Sequence, residues 1–358
     1  MIGRRAVGRS GLRFSALSLG GMTLGHNAAF GAIGADATEA ARIVARALDA
    51  GIDTFDTANV YGESEHLLGR LLASRRDDVV LCTKVRFPTA VPDSGAGGAG
   101  GAGDGSGGGA AGGGPPPASS YGLSRGAVLR AVEGSLRRLG TDYLDVLWLH
   151  MQDRSVPIAE TLATTDTLVR QGKVRYVGLS NFMAYRVAEA VCVAGARGYE
   201  APVGLQLPWS AVGRGVEREL VPAARHFELG VAVYSPLARG LLSGKYERGR
   251  EPVDGSRLAL WKEELAGHDT DRTWAVLAAL RGIAADHRVP VAAVALAWVL
   301  ARRPVASVIV GVRTAEQLEQ NLAAARLRLS REETARIDAV SEPDWDYPES
   351  FIGRFEAW

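Results

Sequence analysis

The chain has 358 residues, 47% of them hydrophobic, which is enough to bury a large core and allows either one barrel or two medium domains. Lys+Arg 41 against Asp+Glu 40 leaves a net charge of +1 with no basic block suited to a phosphate backbone, which argues against a nucleic-acid partner. No segment offers about 18 uninterrupted apolar residues, and MIGRRAVGRSGLRF lacks a signal-peptide core, so a soluble cytoplasmic protein with no membrane partner is expected. Cys82 and Cys192 fall in a predicted strand and a predicted helix with apolar neighbours and read as buried free thiols, in keeping with a reducing compartment.

In chain order, RRAVGRSGLRFSALSLG alternates apolar positions around a Gly-Arg-Ser-Gly turn, which predicts a hairpin leading into the first barrel strand. Strands near 16–20, 52–55, 79–84, 144–149, 174–179, 203–206, 230–234 and 306–310 then alternate with helices. The helices are predicted near 38–50, 64–74, 124–139, 157–171, 183–196, 217–227, 272–287, 290–302 and 315–326. Repeated strand–helix units of this kind predict an α/β fold, a single (β/α)8 TIM barrel spanning 1–358 with extended loops at its C-terminal face. In the C-terminal tail, from Glu332 to Trp358, the aromatic residues Trp345, Tyr347, Phe351, Phe355 and Trp358 predict packing onto the barrel.

One stretch breaks the alternation. Ser94 to Ser119 (94–119) is a low-complexity insertion of Gly, Ala and Pro and is expected to be disordered. Its GAGGAG at Gly95 to Gly100 matches the letters of a dinucleotide fingerprint, but no strand leads in and no helix follows, so the match is set aside. A passive linker is preferred over a lid across the barrel mouth.

The most informative run is GIDTFDTANVYGESEHLLGRLL, which places Asp56 and Tyr61 five residues apart where a strand gives way to a loop. Lys84 closes DDVVLCTK and His150 closes DYLDVLWLH in the same way. Strand C-termini are where parallel α/β proteins keep their chemistry. Taken alone, an Asp there more often caps the next helix and a Tyr more often packs. The ordered set reverses that preference.

In that order, on successive strand ends, these four residues resemble the tetrad of the aldo-keto reductases. The resemblance runs along nearly the whole chain, through RRAVGRSGLRFSALSLGGM, GLSRGAVLRAVEGSLRRLGTDYLDVLWLH, GKVRYVGLSNF, YSPLARGLLSGKY and VGVRTAEQLEQNL. In pattern it lies nearest to bacterial oxidoreductases related to the potassium-channel β subunit branch. It implies NADP(H)-dependent reduction of an aldehyde or ketone, with hydride from the nicotinamide and a proton from Tyr61. A free phenol titrates at about 10, and the Lys84 ammonium would ease loss of the proton while Asp56 keeps Lys84 charged. His150 would hydrogen-bond the carbonyl oxygen. In the channel-subunit relatives an asparagine stands at this position and turnover is slow, so histidine favours an enzyme. A slow-turnover NADP(H)-binding regulatory subunit is the alternative. A metal-dependent barrel hydrolase is disfavoured because the strand ends carry no His-x-His or carboxylate cluster.

By the same resemblance Gly21, Met22 and Asp56 contact the cofactor at the barrel mouth, and Ser180, Asn181 and Gln206 hold its carboxamide. One hydroxyl and two amides match the donors and acceptors of that group. Tyr234 would stack on the nicotinamide. Ser235, Pro236, Leu237, Arg239 and Leu241 would line the pyrophosphate, with Lys245 and Arg257 adding charge. Gly311 and Arg313 match the adenosine phosphate loop at the start of a helix whose N-terminal amides suit an anion. Gln317, Gln320 and Asn321 match positions that touch adenine and ribose, with a solvated helix face as the other reading of the two glutamines. Arg313 offers a cation for a 2′-phosphate and so favours NADP(H) over NAD(H). Phe87, Met151, Trp209 and Trp261 suggest an apolar substrate pocket, although each also suits packing. A ketone of secondary metabolism, a sugar-derived ketone and an aromatic aldehyde all fit, and the sequence is compatible with an oligomer.

Overall fold

The computed structural model describes residues 2–26, 34–89, 121–253, 255–260, 263 and 267–352, with Arg257 and Leu260 described by backbone alone. Among the described residues ten strands form: β1 Arg4–Ala6, β2 Arg13–Ser15, β3 Leu17–Gly20, β4 Thr54–Asp56, β5 Val80–Val85, β6 Leu144–Leu149, β7 Val174–Ser180, β8 Gly204–Pro208, β9 Gly230–Tyr234 and β10 Val305–Val310. The first two pair antiparallel as the predicted hairpin. The other eight close into a barrel in the order β10-β3-β4-β5-β6-β7-β8-β9, with every neighbour parallel. Closure leaves the eight-stranded sheet without edges, and the helices wrap the outside.

Two cores result. The larger lies between barrel and helices, where outward residues such as Phe55, Leu147, Val177 and Val308 meet the surrounding layer, which includes the apolar helix Val291–Leu300, buried nearly throughout. The smaller lies inside the barrel, where Val7, Leu12 and Phe14 of the hairpin region pack with Cys82, Val146, Trp148, Ala232, Ala306 and Ile309. The hairpin thus plugs the N-terminal end. A side chain on Gly230 would meet Val7 Cγ1 at 2.8 Å, and one on Gly178 would meet the Trp148 ring at 2.2 Å. Both glycines are needed for close approach.

Several local expectations shift for physical reasons. β4 begins at Thr54, because Asp53 is engaged sideways: its Oδ1 accepts from the Ser15 amide at 3.1 Å and its Oδ2 pairs with Arg4. The helix predicted over 217–227 splits into a 3-10 turn Gly215–Glu217 and a helix Leu220–His226. Pro222 has no N–H to bond back a turn, so the two pieces do not merge. Cys82 is buried as expected but Cys192 is exposed. On helix Ala184–Arg197 the buried positions are Val187, Ala190 and Ala194, and residue 192 falls outside that stripe.

The aromatic tail also departs from expectation. Trp345 is half-buried, but Tyr347 is 80% exposed and Phe351 54% exposed. Helix Glu349–Ile352 is tied down by Glu349, which pairs with Arg218 at 3.1 Å, and that anchor leaves Phe351 outward. Phe355, Trp358 and the 94–119 insertion lie outside the described residues. Among the described residues no single helix is long and apolar enough to cross a membrane.

Candidate active site

Asp56 ends β4, Lys84 is the penultimate residue of β5, and His150 follows β6, all at the C-terminal face. Tyr61 sits on a turn closed by its own amide to the Ala58 carbonyl at 3.0 Å, with Gly62 at φ 56 just beyond. The positive φ suits glycine, and it lets the chain reverse into helix Ser64–Leu72 while Tyr61 stays at the barrel mouth.

Lys84 is 1% exposed. Its Nζ donates to Asp56 Oδ2 and, at 2.8 Å, to the Thr57 carbonyl, and it lies 4.8 Å from the centroid of the Tyr61 ring. Asp56 Oδ1 accepts from Gln206 Nε2 at 2.8 Å. Burial alone would strip the proton from Lys84, yet Asp56 and Tyr61 outweigh it and raise the ammonium above its ordinary value. Burial raises the Tyr61 phenol, with Lys84 offsetting part of the effect and Asp56 adding to it. Lys84 acts in the expected direction, easing loss of the Tyr61 proton, but desolvation is the larger influence and holds the phenol in its acid form.

His150 is held to about 3 by burial and by the charges of Lys84 and Arg86. The imidazole is therefore neutral at pH 7 and well below it. Its ring stands edge-on to Tyr61 at 5.8 Å and to Phe87 at 5.1 Å. The composition of the surroundings thus supplies one buried cation, one phenol and one neutral imidazole at a single spot, a set able to bind and protonate a carbonyl oxygen.

Asp56, Tyr61 and His150 line a cavity of about 420 Å³ at the barrel mouth. The structure brings Met22, Asp56, Tyr61, His150, Ser180, Asn181, Gln206, Tyr234, Ser235, Pro236, Leu237, Arg239, Lys245, Gly311, Arg313, Gln317, Gln320 and Asn321 to its walls. Ser180 and Gln206 are register partners on β7 and β8. Asn181, at φ 55, turns back so that its Nδ2 donates to the His150 carbonyl at 2.8 Å and its Oδ1 accepts from Tyr234 at 2.8 Å.

Other predicted residues are placed elsewhere. Gly21 and Lys84 lie beneath the lining, and Leu241 is fully buried in the outer core because the chain turns it inward between Gly240 and Gly244. Trp209 is 2% exposed, its indole N–H bonded to Glu217 at 2.9 Å, which holds the ring away from the mouth. Met151 is half-buried and outside the lining, while Phe87 reaches the site through its contact with His150. Trp261 and the Arg257 side chain lie outside the described residues.

At the far end of the cavity, helix Ala315–Leu322 has its first amides capped from within the chain. Thr314 accepts from Gln317 N, and the Glu39 carboxylate accepts from Ala315 N at 2.8 Å. Two of the amides expected to suit an anion, those of Ala315 and Gln317, are therefore taken, and positive charge there comes from the Arg313 side chain, which donates to the Gly255 carbonyl at 2.8 Å. Gln317 Oε1 accepts the Arg313 amide at 2.9 Å.

Sequence reading missed Thr23 and Asn59. Thr23 lines the cavity and ties its two sides together through the Val312 carbonyl at 2.7 Å. Asn59 donates to the Phe87 carbonyl at 2.8 Å and so fixes the wall beside His150. Asn59 stands midway in DTANVY, between Asp56 and Tyr61, and that placement was its available signal.

A donor set of one hydroxyl and two amides near the tetrad, followed along the cavity by Arg239, Lys245 and Arg313, fits an extended molecule with a carboxamide at one end and phosphates farther along. The sequence profile described as "Aldo/keto reductase family" matches residues 16–342. The chain belongs to that family. It is 35% identical over 355 residues to the uncharacterized oxidoreductase YrpG of Bacillus subtilis, covering 96% of this chain and 98% of the relative. It is 33% identical over 356 residues to a probable voltage-gated potassium channel subunit beta of Oryza sativa subsp. japonica, again covering 96% and 98%. A putative aryl-alcohol dehydrogenase, C977.14c of Schizosaccharomyces pombe, is 34% identical over 346 residues, covering 94% of each chain.

Proposed function

We propose that this protein reduces the carbonyl group of an aldehyde or ketone to the alcohol, using NADPH, with Asp56, Tyr61, Lys84 and His150 as the reacting and supporting groups. The observation that carries the reading is the buried Asp56–Lys84 pair beneath Tyr61 and His150, at the floor of a cavity whose walls suit a nicotinamide dinucleotide. When bound, that cofactor supplies hydride to the carbonyl carbon.

The chain's own groups do the rest. Tyr61 Oη donates its proton to the carbonyl oxygen as negative charge grows there. Lys84 stabilises the phenolate left behind, and Asp56 keeps Lys84 charged and aimed. Neutral His150 orients the same oxygen by a hydrogen bond and carries no charge to trade. Ser180, Asn181 and Gln206 hold the carboxamide, with the Tyr234 hydroxyl presently on Asn181 Oδ1 giving way. Tyr234 supplies the stacking face, Arg239 and Lys245 meet the pyrophosphate, and Arg313 meets a 2′-phosphate, which favours NADPH over NADH. The described residues and the 94–119 insertion make one barrel domain, the insertion serving as a linker. The two free cysteines suit a reducing cytoplasm.

The test is a panel of aldehydes and ketones followed by NADPH and, in parallel, NADH oxidation. Absence of turnover on every member with both cofactors would overturn the reading. The likeness to proteins named as channel β subunits supports a second one, a slow-turnover NADP(H)-binding subunit. A single-turnover rate far above the steady-state rate distinguishes it.

A further inference from the structure

A second cavity, of about 800 Å³, lies at the other end of the barrel, between the hairpin, the loop into β10 and the segment after helix Ala315–Leu322. Arg5, Arg302, Arg303 and Arg328 line it, and among the described residues no Asp or Glu does. Arg302 is balanced by Asp338 and stacks on Trp298 at 4.0 Å. The other three have no such partner among the described residues. Arg5 Nη1 donates to the Leu300 carbonyl at 2.6 Å and to the Val305 carbonyl at 3.3 Å. Arg328 Nη1 donates to the carbonyls of Ala325 and Leu327 at 3.1 and 3.2 Å.

Carbonyls fix the guanidinium groups in place without cancelling their charge. Burial, and after it the charge of Arg328, pushes Arg5 below its ordinary value. Cations that line one cavity with no carboxylate in its wall disfavour each other, and an anion set between them reverses that. Guanidinium forks match a carboxylate better than a point cation does. Leu300 and Leu327, with alanines beside them, give the same cavity an apolar surface. The volume lies within the roughly 300 to 1,000 Å³ of small-molecule sites.

We propose that this cavity binds an organic carboxylate with an apolar body, the head held by Arg5, Arg303 and Arg328 and the body lying on Leu300 and Leu327. The site is separate from the Tyr61 cavity and does not depend on the chemistry assigned there. Arg303 and Arg328 are both exposed, so replacing them leaves the fold in place.

The experiment is calorimetric titration of the full chain, saturated with NADPH, using decanoate as probe, with sulfate as a head-only and decanol as a tail-only comparison. Saturable one-site binding of decanoate is expected, weakened by about tenfold or more in Arg303→Gln/Arg328→Gln, as loss of charge-assisted hydrogen bonds requires. Sulfate and decanol should each bind more weakly than decanoate. No saturable binding overturns the proposal. Binding unchanged in the double variant also overturns it. Sulfate binding as tight as decanoate removes the apolar body from the assignment.

Discussion

At the C-terminal end of the barrel, Lys84 and Asp56 lie buried side by side under an open cavity, while at the N-terminal end Val7, Leu12 and Phe14 close the interior with hydrocarbon. Both ends are built on the same eight strands. One end keeps charged groups out of water, at a cost that a packed core would not carry, and keeps them hydrogen-bonded so that the cost is bearable. The hairpin residues that close the other end contribute packing and take no part in the reaction. A barrel can hold such groups at one mouth because closure and the hairpin plug stabilise it from the other.

The comparison breaks most sharply at Tyr61. Tyr61→Phe removes only the acidic proton, so carbonyl reduction should fall by about 10²- to 10⁴-fold while NADPH affinity stays close to wild type. Steady-state kinetics with a fluorescence titration of NADPH check this, and more than about a tenth of wild-type turnover, where chemistry limits the rate, sinks the assignment. The opposite pattern belongs to the plug. Phe14→Ala should lower unfolding stability by about 3 to 5 kcal/mol, through lost transfer free energy and the cavity left behind, with KM and kcat nearly unchanged below the transition. Chemical denaturation paired with kinetics would refute the division of labour if Phe14→Ala altered kcat as Tyr61→Phe does.

Arg313→Ala sharpens the reading of the cavity's far end. With the Ala315 and Gln317 amides already capped by Glu39 and Thr314, the proposed function gives the 2′-phosphate contact to the Arg313 side chain, and NADPH should then lose about tenfold to a hundredfold in affinity while NADH loses much less. Equal losses for both cofactors would assign Arg313 to the shared part of the dinucleotide or to its Gly255 contact.

His150 gives a pH test with a definite sign. Its folded value, about 3, lies below the ordinary 6.5, so the folded state favours the neutral ring. The stability linked to it is complete above about 6.5 and is lost as pH falls from there toward 3, at up to about 1.4 kcal/mol per pH unit. His150→Asn should flatten that acid limb in urea titrations, and the kcat/KM profile should carry no His150 ionisation near neutrality. A kinetic limb near 6.5 that disappears in His150→Asn would contradict the neutral, buried ring.

The smallest effect is expected from replacing residues 94–119 by a short Gly-Ser link. The described chain is already joined across the base of the insertion by the Gly122 amide on the Arg86 carbonyl at 2.7 Å. Stability should stay within about 1 kcal/mol, because a Gly/Ala/Pro tract has little apolar area to bury and a shorter loop costs less closure entropy. A KM raised only for bulky carbonyls would convert the linker into a lid.

The strand-end positions of Asp56, Lys84 and His150 were legible because alternation and apolar runs mark a strand's end locally, and the barrel's topology then carries those ends to one face. Trp209 was misleading for the complementary reason. An aromatic residue in the loop after β8 faces either the mouth or the core, and the choice was made by Glu217, eight residues on and visible only in the fold. Cys192 likewise has apolar neighbours in sequence, yet its place on the helix circumference turned it outward.

From its sequence alone, then, this chain determined an α/β barrel with a hairpin at its start and a set of polar residues at the strand ends, since those follow from local periodicity and order. Tertiary structure alone decided the protonation states of Tyr61 and His150, the capping of helix Ala315–Leu322 by Glu39, and the gathering of Arg5, Arg303 and Arg328 around one cavity. Desolvation and Coulomb interactions act through space, between groups that the sequence separates by up to hundreds of residues, and only the folded geometry fixes their distances.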